Sequence, residues 1–246
     1  MRTLSVRIVL VAMFLAFAAG AMAQRAQAPD EAIARDVAAR LMANDVTGVS
    51  VSVESGIVTL RGTVPTLWMK ERAREEALRA ADVITVLSDV TVARGESDEV
   101  LAALVAKRLQ RYVFFSIFDD ADVEVDNGVV TLTGRVTMPY KAEAFADLAA
   151  RVPGVQEVRN DVQTLPVSTF DDQLRYAVAR RIYGNELFVR YAIQPNPPVH
   201  IIVEHGRVTL TGVVFSEVER RTAEVIARST FAVMGVTNKL RLESDD

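Results

Sequence analysis

The sequence predicts an α+β chain of three tandem small αββαβ domains, each a three-stranded sheet with two helices packed on one face. Three observations predict it. One phrase occurs three times: Ser-Gly-Ile-Val-Thr-Leu-Arg-Gly-Thr-Val at 55–64, Asn-Gly-Val-Val-Thr-Leu-Thr-Gly-Arg-Val at 127–136 and His-Gly-Arg-Val-Thr-Leu-Thr-Gly-Val-Val at 205–214. Its first glycines, Gly56, Gly128 and Gly206, lie 72 and 78 residues apart, the length of a small domain copied in tandem and too long for a solenoid repeat. Each copy follows apolar residues at helical spacing and precedes a second helical stretch and a strand-like run.

The first residues stand apart from the repeats. Arg2 and Arg7 flank the start of an unbroken apolar run, 8–19, and Ala21-Met22-Ala23 supplies the small residues of a signal-peptidase site. The run is too short to span a bilayer well. Residues 1–23 are therefore expected to be a signal peptide cleaved after Ala23, which places the chain in the periplasm. Loss of Arg2 and Arg7 takes the formal charge from −4 to −6. An acidic chain argues against nucleic acid as a partner. Cysteine is absent, so no disulfide staples the small domains and no lipid is attached through an N-terminal cysteine.

The first domain, 30–93, opens with Asp30 as a helix cap, then Ile33, Val37 and Leu41 on one helical face. Val49, Val51 and Val53 alternate with polar residues as a strand. Ser55-Gly56 is the turn, 57–64 the returning strand, 67–81 the second helix and 83–92 the last strand. The second domain, 98–164, repeats the order, with Leu101, Leu104, Val105, Leu109 and Val113 on its first helix, a hairpin over 123–136, a helix over 140–151 and a strand after Gly154. The third, 170–243, starts with Leu174, Ala177, Val178 and Ile182, carries a longer loop at 183–198, and closes through strands at 199–203 and 207–214, a helix at 217–229 and a strand at 236–242. Counted from Gly62, Gly134 and Gly212, position +11 is Ala73, Phe145 and Ala223, and +15 is Ala77, Ala149 and Ala227. These lie one helical turn apart and mark the buried face of the second helix.

The phrase itself reads as folding chemistry. Asn-Gly is the strongest signal for a two-residue turn with positive φ. Beyond it, Val130, Leu132, Gly134 and Val136 share the core face, and Thr131, Thr133 and Arg135 the open one. The second glycine on the core face is expected to admit a closely packed helix, or else to mark a β-bulge. The span from the turn glycine to the second glycine runs along a hairpin strand and not between a strand and a helix, so a phosphate-binding loop is excluded by context.

These residues resemble the BON family (bacterial OsmY and nodulation domains) over nearly the whole chain after residue 23. The likeness is carried by Gly-x-Val-Thr-Leu-x-Gly-x-Val in each copy and by the closing Gly154-Val155-x-x-Val158-x-Asn160-x-Val162. The third copy closes as Val233-x-x-Val236-x-Asn238-x-Leu240; the first diverges, with Ser88 where the family has Asn and Asp82 where it has Gly. The resemblance implies a periplasmic αββαβ protein that binds phospholipid or other envelope partners and has no catalytic residues.

Sites of chemistry are scarce. His200, Glu204 and His205 invite a metal hypothesis, but strand and turn positions diverge and a solvent-facing His200 is the ordinary outcome. Asp119-Asp120 precedes a strand, Asp171-Asp172 reads as a helix cap, and no Gly-x-Ser-x-Gly elbow exists. Neither a metal, a cofactor nor a small-molecule substrate is expected. The candidate binding residues are Tyr112, Phe114, Phe115 and Phe118 with the preceding Lys107, Arg108 and Arg111; their counterparts in the third domain are Tyr183, Leu187, Phe188 and Tyr191 beside Arg175, Arg180 and Arg181. Such residues form either an exposed apolar patch beside basic groups or, as is commoner, core and seam. A third candidate is the open sheet face carrying Thr131, Thr133, Thr209 and Thr211. The expectation is a non-enzymatic envelope protein binding phospholipid surfaces in support of envelope integrity and stress response; the alternative is a periplasmic protein–protein adaptor or chaperone-like module.

Overall fold

The structure is a computed structural model that describes residues 29–243, so the expected signal peptide lies outside the described residues. The chain divides after Arg94 into two compact units. The first holds one repeat: α1 (29–43), β1 (Val49–Glu54), β2 (Ile57–Val64), α2 (Leu67–Leu78) and β3 (Thr85–Val92). The second holds two. One is α3 (Asp98–Gln110), β4 (Asp120–Asp126), β5 (Val129–Val136), α4 (Pro139–Ala150) and β6 (Glu157–Thr164). The other is α5 (Thr169–Tyr183), α6 (Val189–Ala192), β7 (Val199–Glu204), β8 (Arg207–Val214), α7 (Glu217–Arg228), β9 (Gly235–Asn238) and β10 (Arg241–Leu242).

Each sheet has the same order, an antiparallel hairpin whose second strand pairs in parallel with the closing strand. The parallel register is identical in the three repeats: Ile57 faces Thr85, Val129 faces Glu157 and Arg207 faces Gly235. In the third repeat the closing strand is interrupted at Lys239-Leu240, and β9 and β10 keep one register on β8.

The helices start for local reasons. Thr66, Ser97, Ser168 and Ser216 are extended N-caps whose side chains accept amides of the first turn; in α4 the cap is Met138, which makes no such bond, and Pro139 opens the first turn. Acidic residues open α3, α5 and α7 and basic residues close them, as the helix dipole favours. The +11 and +15 residues are all fully buried, as are Val58, Leu60 and Val64 and their equivalents Val130, Leu132 and Val136. A fully buried aliphatic side chain of this size contributes about 1.5–3 kcal/mol.

Both turn residues of each hairpin have positive φ, Ser55-Gly56, Asn127-Gly128 and His205-Gly206. The turn amides meet one partner in each repeat. Asp30 accepts from the amides of Ser55 (2.7 Å) and Gly56 (2.9 Å), Asp98 from Asn127 (2.7 Å) and Gly128 (2.9 Å), and Asp171 from His205 (2.9 Å) and Gly206 (2.8 Å). This corrects the reading of Asp171 as a cap: Ser168 caps α5, and Asp171 ties the helix to the hairpin. Asp30 likewise lies within the helical residues.

The second glycine also has a different cause from the one expected. Side chains at Gly62, Gly134 and Gly212 would strike the carbonyl oxygens of Gly48, Asp120 and Pro198 at 2.0, 2.2 and 1.8 Å. The crowding comes from the residue that enters the partner strand, not from a helix. The hairpin ladder is continuous, so there is no bulge, and positive φ at all three positions reinforces the need for glycine.

Replacing Asp171 by alanine leaves two turn amides without their acceptor and is expected to cost about 1–3 kcal/mol. Urea denaturation followed by circular dichroism checks this; an unchanged midpoint contradicts it.

Candidate functional site

α3 buries Leu101, Val105 and Leu109 and turns Leu104, Lys107 and Arg108 outward. The chain then leaves the helix through Arg111-Tyr112-Val113 and passes the end of α4. Between them lies a groove of about 680 Å³, with Leu104, Tyr112, Val113, Leu148 and Val152 as apolar walls and Lys107, Arg108 and Arg111 at the rim. Val113 is 81% exposed. Phe114 stands beside the groove, exposed, packed edge-on against Tyr112 (5.6 Å) and Tyr140 (6.0 Å). Tyr112 in turn meets the fully buried Phe145 at 6.1 Å, so this aromatic file runs from core to surface. Arg108 donates to the carbonyl of Arg151 at 2.9 Å, holding α3 to the end of α4.

The rest of the stretch has another role. Phe115 packs on Phe145 (5.7 Å) and on His200 (5.2 Å), and Phe118 on Tyr176 (5.1 Å); Ile117 and Phe118 rest on the core of the third repeat. The Ile201 amide donates to the Ile117 carbonyl at 2.7 Å. Thr211 donates to Asp120 at 2.8 Å, and Arg135 lies 3.6 Å from Glu204. Phe115 and Phe118 thus belong to a seam between two repeats, whereas Phe114, Lys107 and Arg111 face outward.

His200 is buried in that seam, 8% exposed, which corrects the solvent-facing expectation. Its Nδ1 lies 2.6 Å from the Asp119 carbonyl; a carbonyl only accepts, so Nδ1 carries the proton and donates. Among the described residues no His, Cys, Asp and Glu group is placed to hold a metal ion.

Asp119 anchors the loop. It is fully buried and accepts from the amide and hydroxyl of Ser116 (2.9 and 2.7 Å), the amide and hydroxyl of Thr137 (both 2.9 Å) and Lys141 (2.6 Å). Burial alone would raise its carboxyl, but these donors outweigh it and hold the carboxyl below its usual range. In the third repeat the same lock has reversed polarity. Glu219, at the position of Lys141, accepts from the Phe215 amide (2.9 Å) and Tyr191 hydroxyl (2.8 Å) and pairs with Arg190. Of the counterparts of the aromatic stretch, Phe188 and Tyr191 are buried here, while Leu187 is exposed. Arg175 is buried and donates to the Val203 carbonyl at 2.9 Å, so it is not presented as a docking cation; Arg181 is exposed and donates to Ser229. Neither lock is legible in sequence, because each joins a loop residue to a helix residue of a type that differs between copies.

Burial pushes the His200 imidazole below its ordinary range, partly offset by the Asp119 carbonyl and the Asp120 carboxylate. A lowered value means that the closed seam binds fewer protons than the opened chain. Its contribution is therefore complete above about pH 6.5 and lost as pH falls through the lower folded-state value. Burial raises the Asp120 carboxyl despite the bond from Thr211, which acts in the opposite sense nearer the carboxylate range. An NMR titration is expected to place the His200 midpoint below about 6.5; a midpoint at or above it contradicts the buried donor geometry.

No curated protein matches the chain. Similar solved structures include the C-terminal domain of CdsD, a structural protein of the type III secretion system of Chlamydia trachomatis. It is 17% identical, with 85% of this chain and 96% of that one covered and a TM-score of 0.25. The PrgH periplasmic domain is 14% identical over 82% and 99%, with a TM-score of 0.24. The BON domain model matches residues 29–94, 97–166 and 172–244. BON domains are generally non-catalytic and associated with the envelope. With three matches covering most of its length, the chain belongs to the BON domain family.

Proposed function

We propose that this protein is a non-catalytic, exported envelope protein that associates peripherally with phospholipid surfaces through the second repeat and so supports envelope integrity. The observation that carries the reading is the groove between α3 and α4, apolar on its walls and basic at its rim. Val113 and Phe114 offer apolar surface for the headgroup–acyl boundary, and Lys107 and Arg111 offer charge to anionic lipid. No described helix is long and apolar enough to cross a membrane, so the contact proposed is with the surface. The chain is acidic overall, with a formal charge of −4, so the attraction is local, and salt screens it beyond roughly 10 Å.

Each juxtamembrane basic residue contributes about 1 kcal/mol to anionic-membrane binding, or roughly fivefold in affinity. Co-sedimentation with vesicles of phosphatidylglycerol and phosphatidylethanolamine at low salt checks this. Wild-type protein is expected to pellet, and Lys107→Glu with Arg111→Glu, or Val113→Asp alone, to weaken pelleting severalfold while circular dichroism is unchanged. Absence of wild-type pelleting overturns the reading. Pelleting unaffected by these substitutions moves the contact away from the groove.

A further inference from the structure

The second compact unit has a cleft that the lipid reading does not use. It has a volume of about 670 Å³ and is lined by residues of the open sheet faces of two repeats. The second repeat supplies a cross-strand row, Asp122 opposite Thr133 and Thr133 opposite Asp161. The third supplies Thr209 opposite Thr237, with Arg207 and Lys239 beside them. Ties between these same faces, Thr211 to Asp120 and Arg135 to Glu204, hold the walls.

Arg135 and Glu204, one from each wall, pair with each other, and Asp120 accepts from Thr211; the remaining charges are segregated. Asp122 and Asp161 are exposed on one wall, Arg207 and Lys239 on the other, and none of the four has a side-chain hydrogen bond or salt bridge among the described residues. The volume is that of a small-molecule site. The charged, hydroxyl-rich lining does not suit a lipid chain. A simple anion would face the two aspartates, and a simple cation the Arg207 and Lys239 side. A ligand carrying both charges at its two ends satisfies both walls.

We propose that this cleft binds short zwitterionic peptides, the ammonium end against Asp122 and Asp161 and the carboxylate end against Arg207 and Lys239. The threonine hydroxyls of Thr133, Thr209 and Thr237 face the peptide backbone between the two ends. This site uses residues separate from the groove, so the two readings stand or fall independently.

The test is an NMR titration of the whole protein with the dipeptide Ala-Ala, with N-acetyl-Ala-Ala (anionic only) and with Ala-Ala amide (cationic only). Ala-Ala is expected to give saturable shifts at the amides of Thr133, Thr209 and Thr237, and the blocked forms to bind about threefold to tenfold more weakly. Asp161→Asn and Lys239→Gln, both at exposed positions, are each expected to weaken Ala-Ala binding about threefold to fivefold with the remaining spectrum unchanged. The proposal is overturned if Ala-Ala gives no saturable shift, if a singly charged form binds as well, or if neither substitution changes the affinity.

Discussion

The structure depends on one carboxylate in each repeat. A hairpin turn with two positive-φ residues presents two adjacent amides that no strand can satisfy. Asp30, Asp98 and Asp171 accept both amides from the start of the first helix. The contact fixes where the helix begins relative to the hairpin and thereby which helical face meets the sheet. Asp171 is buried, 2% exposed, so its two hydrogen bonds also offset the cost of removing the carboxylate from water. With the hairpin placed, the constant parallel register follows, and so does the layer of buried residues at +11 and +15.

What varies between repeats is how the segment joining the first helix to the hairpin is held. In the second repeat a buried aspartate on the loop meets Lys141 on the second helix; in the third, Glu219 on the helix meets Arg190 and Tyr191 from the loop. Both carboxylates also accept the amide three residues beyond the second glycine, Thr137 or Phe215. The first repeat has Pro65 there, which has no amide hydrogen, and Met69 where the others have Lys141 and Glu219. It needs no such acceptor and has none of the longer loop. The closing strands differ in the same way. Asn160 and Asn238 donate to helix carbonyls of Ala142 and Arg220, while Ser88, at the same position, has a buried hydroxyl without a partner among the described residues. The scaffold is common to the copies, and the surfaces are not.

Most of the fold was legible in the sequence because its signals are local and repeated. The turn, the alternating strand and the +11/+15 helix face each fall within a few residues and recur three times. What escaped was long-range. The reason for the second glycine lies across the hairpin, in the carbonyls of Gly48, Asp120 and Pro198. The burial of His200 depends on a loop 81 residues away that delivers the Asp119 carbonyl. Of the aromatic stretch, periodicity could not separate Phe115 and Phe118, consumed by the seam, from Phe114 and Val113, which remain outside. Leu148 and Val152 complete the groove from a different helix and its end, and no spacing within the stretch points to them.

The constant residues hold the fold, and the proposed lipid contact lies on a variable surface of the second repeat. Because the chain has no cysteine, a spin label can be placed at a single chosen site. The most direct test attaches a nitroxide at Val113→Cys and, separately, at Thr133→Cys on the open sheet face, and measures collision with oxygen and with a water-soluble nickel complex on adding anionic vesicles. The account predicts that the label at 113 gains oxygen and loses nickel accessibility while that at 133 keeps its aqueous profile. Equal, unchanged aqueous profiles at both positions, in protein that pellets with the vesicles, would contradict it.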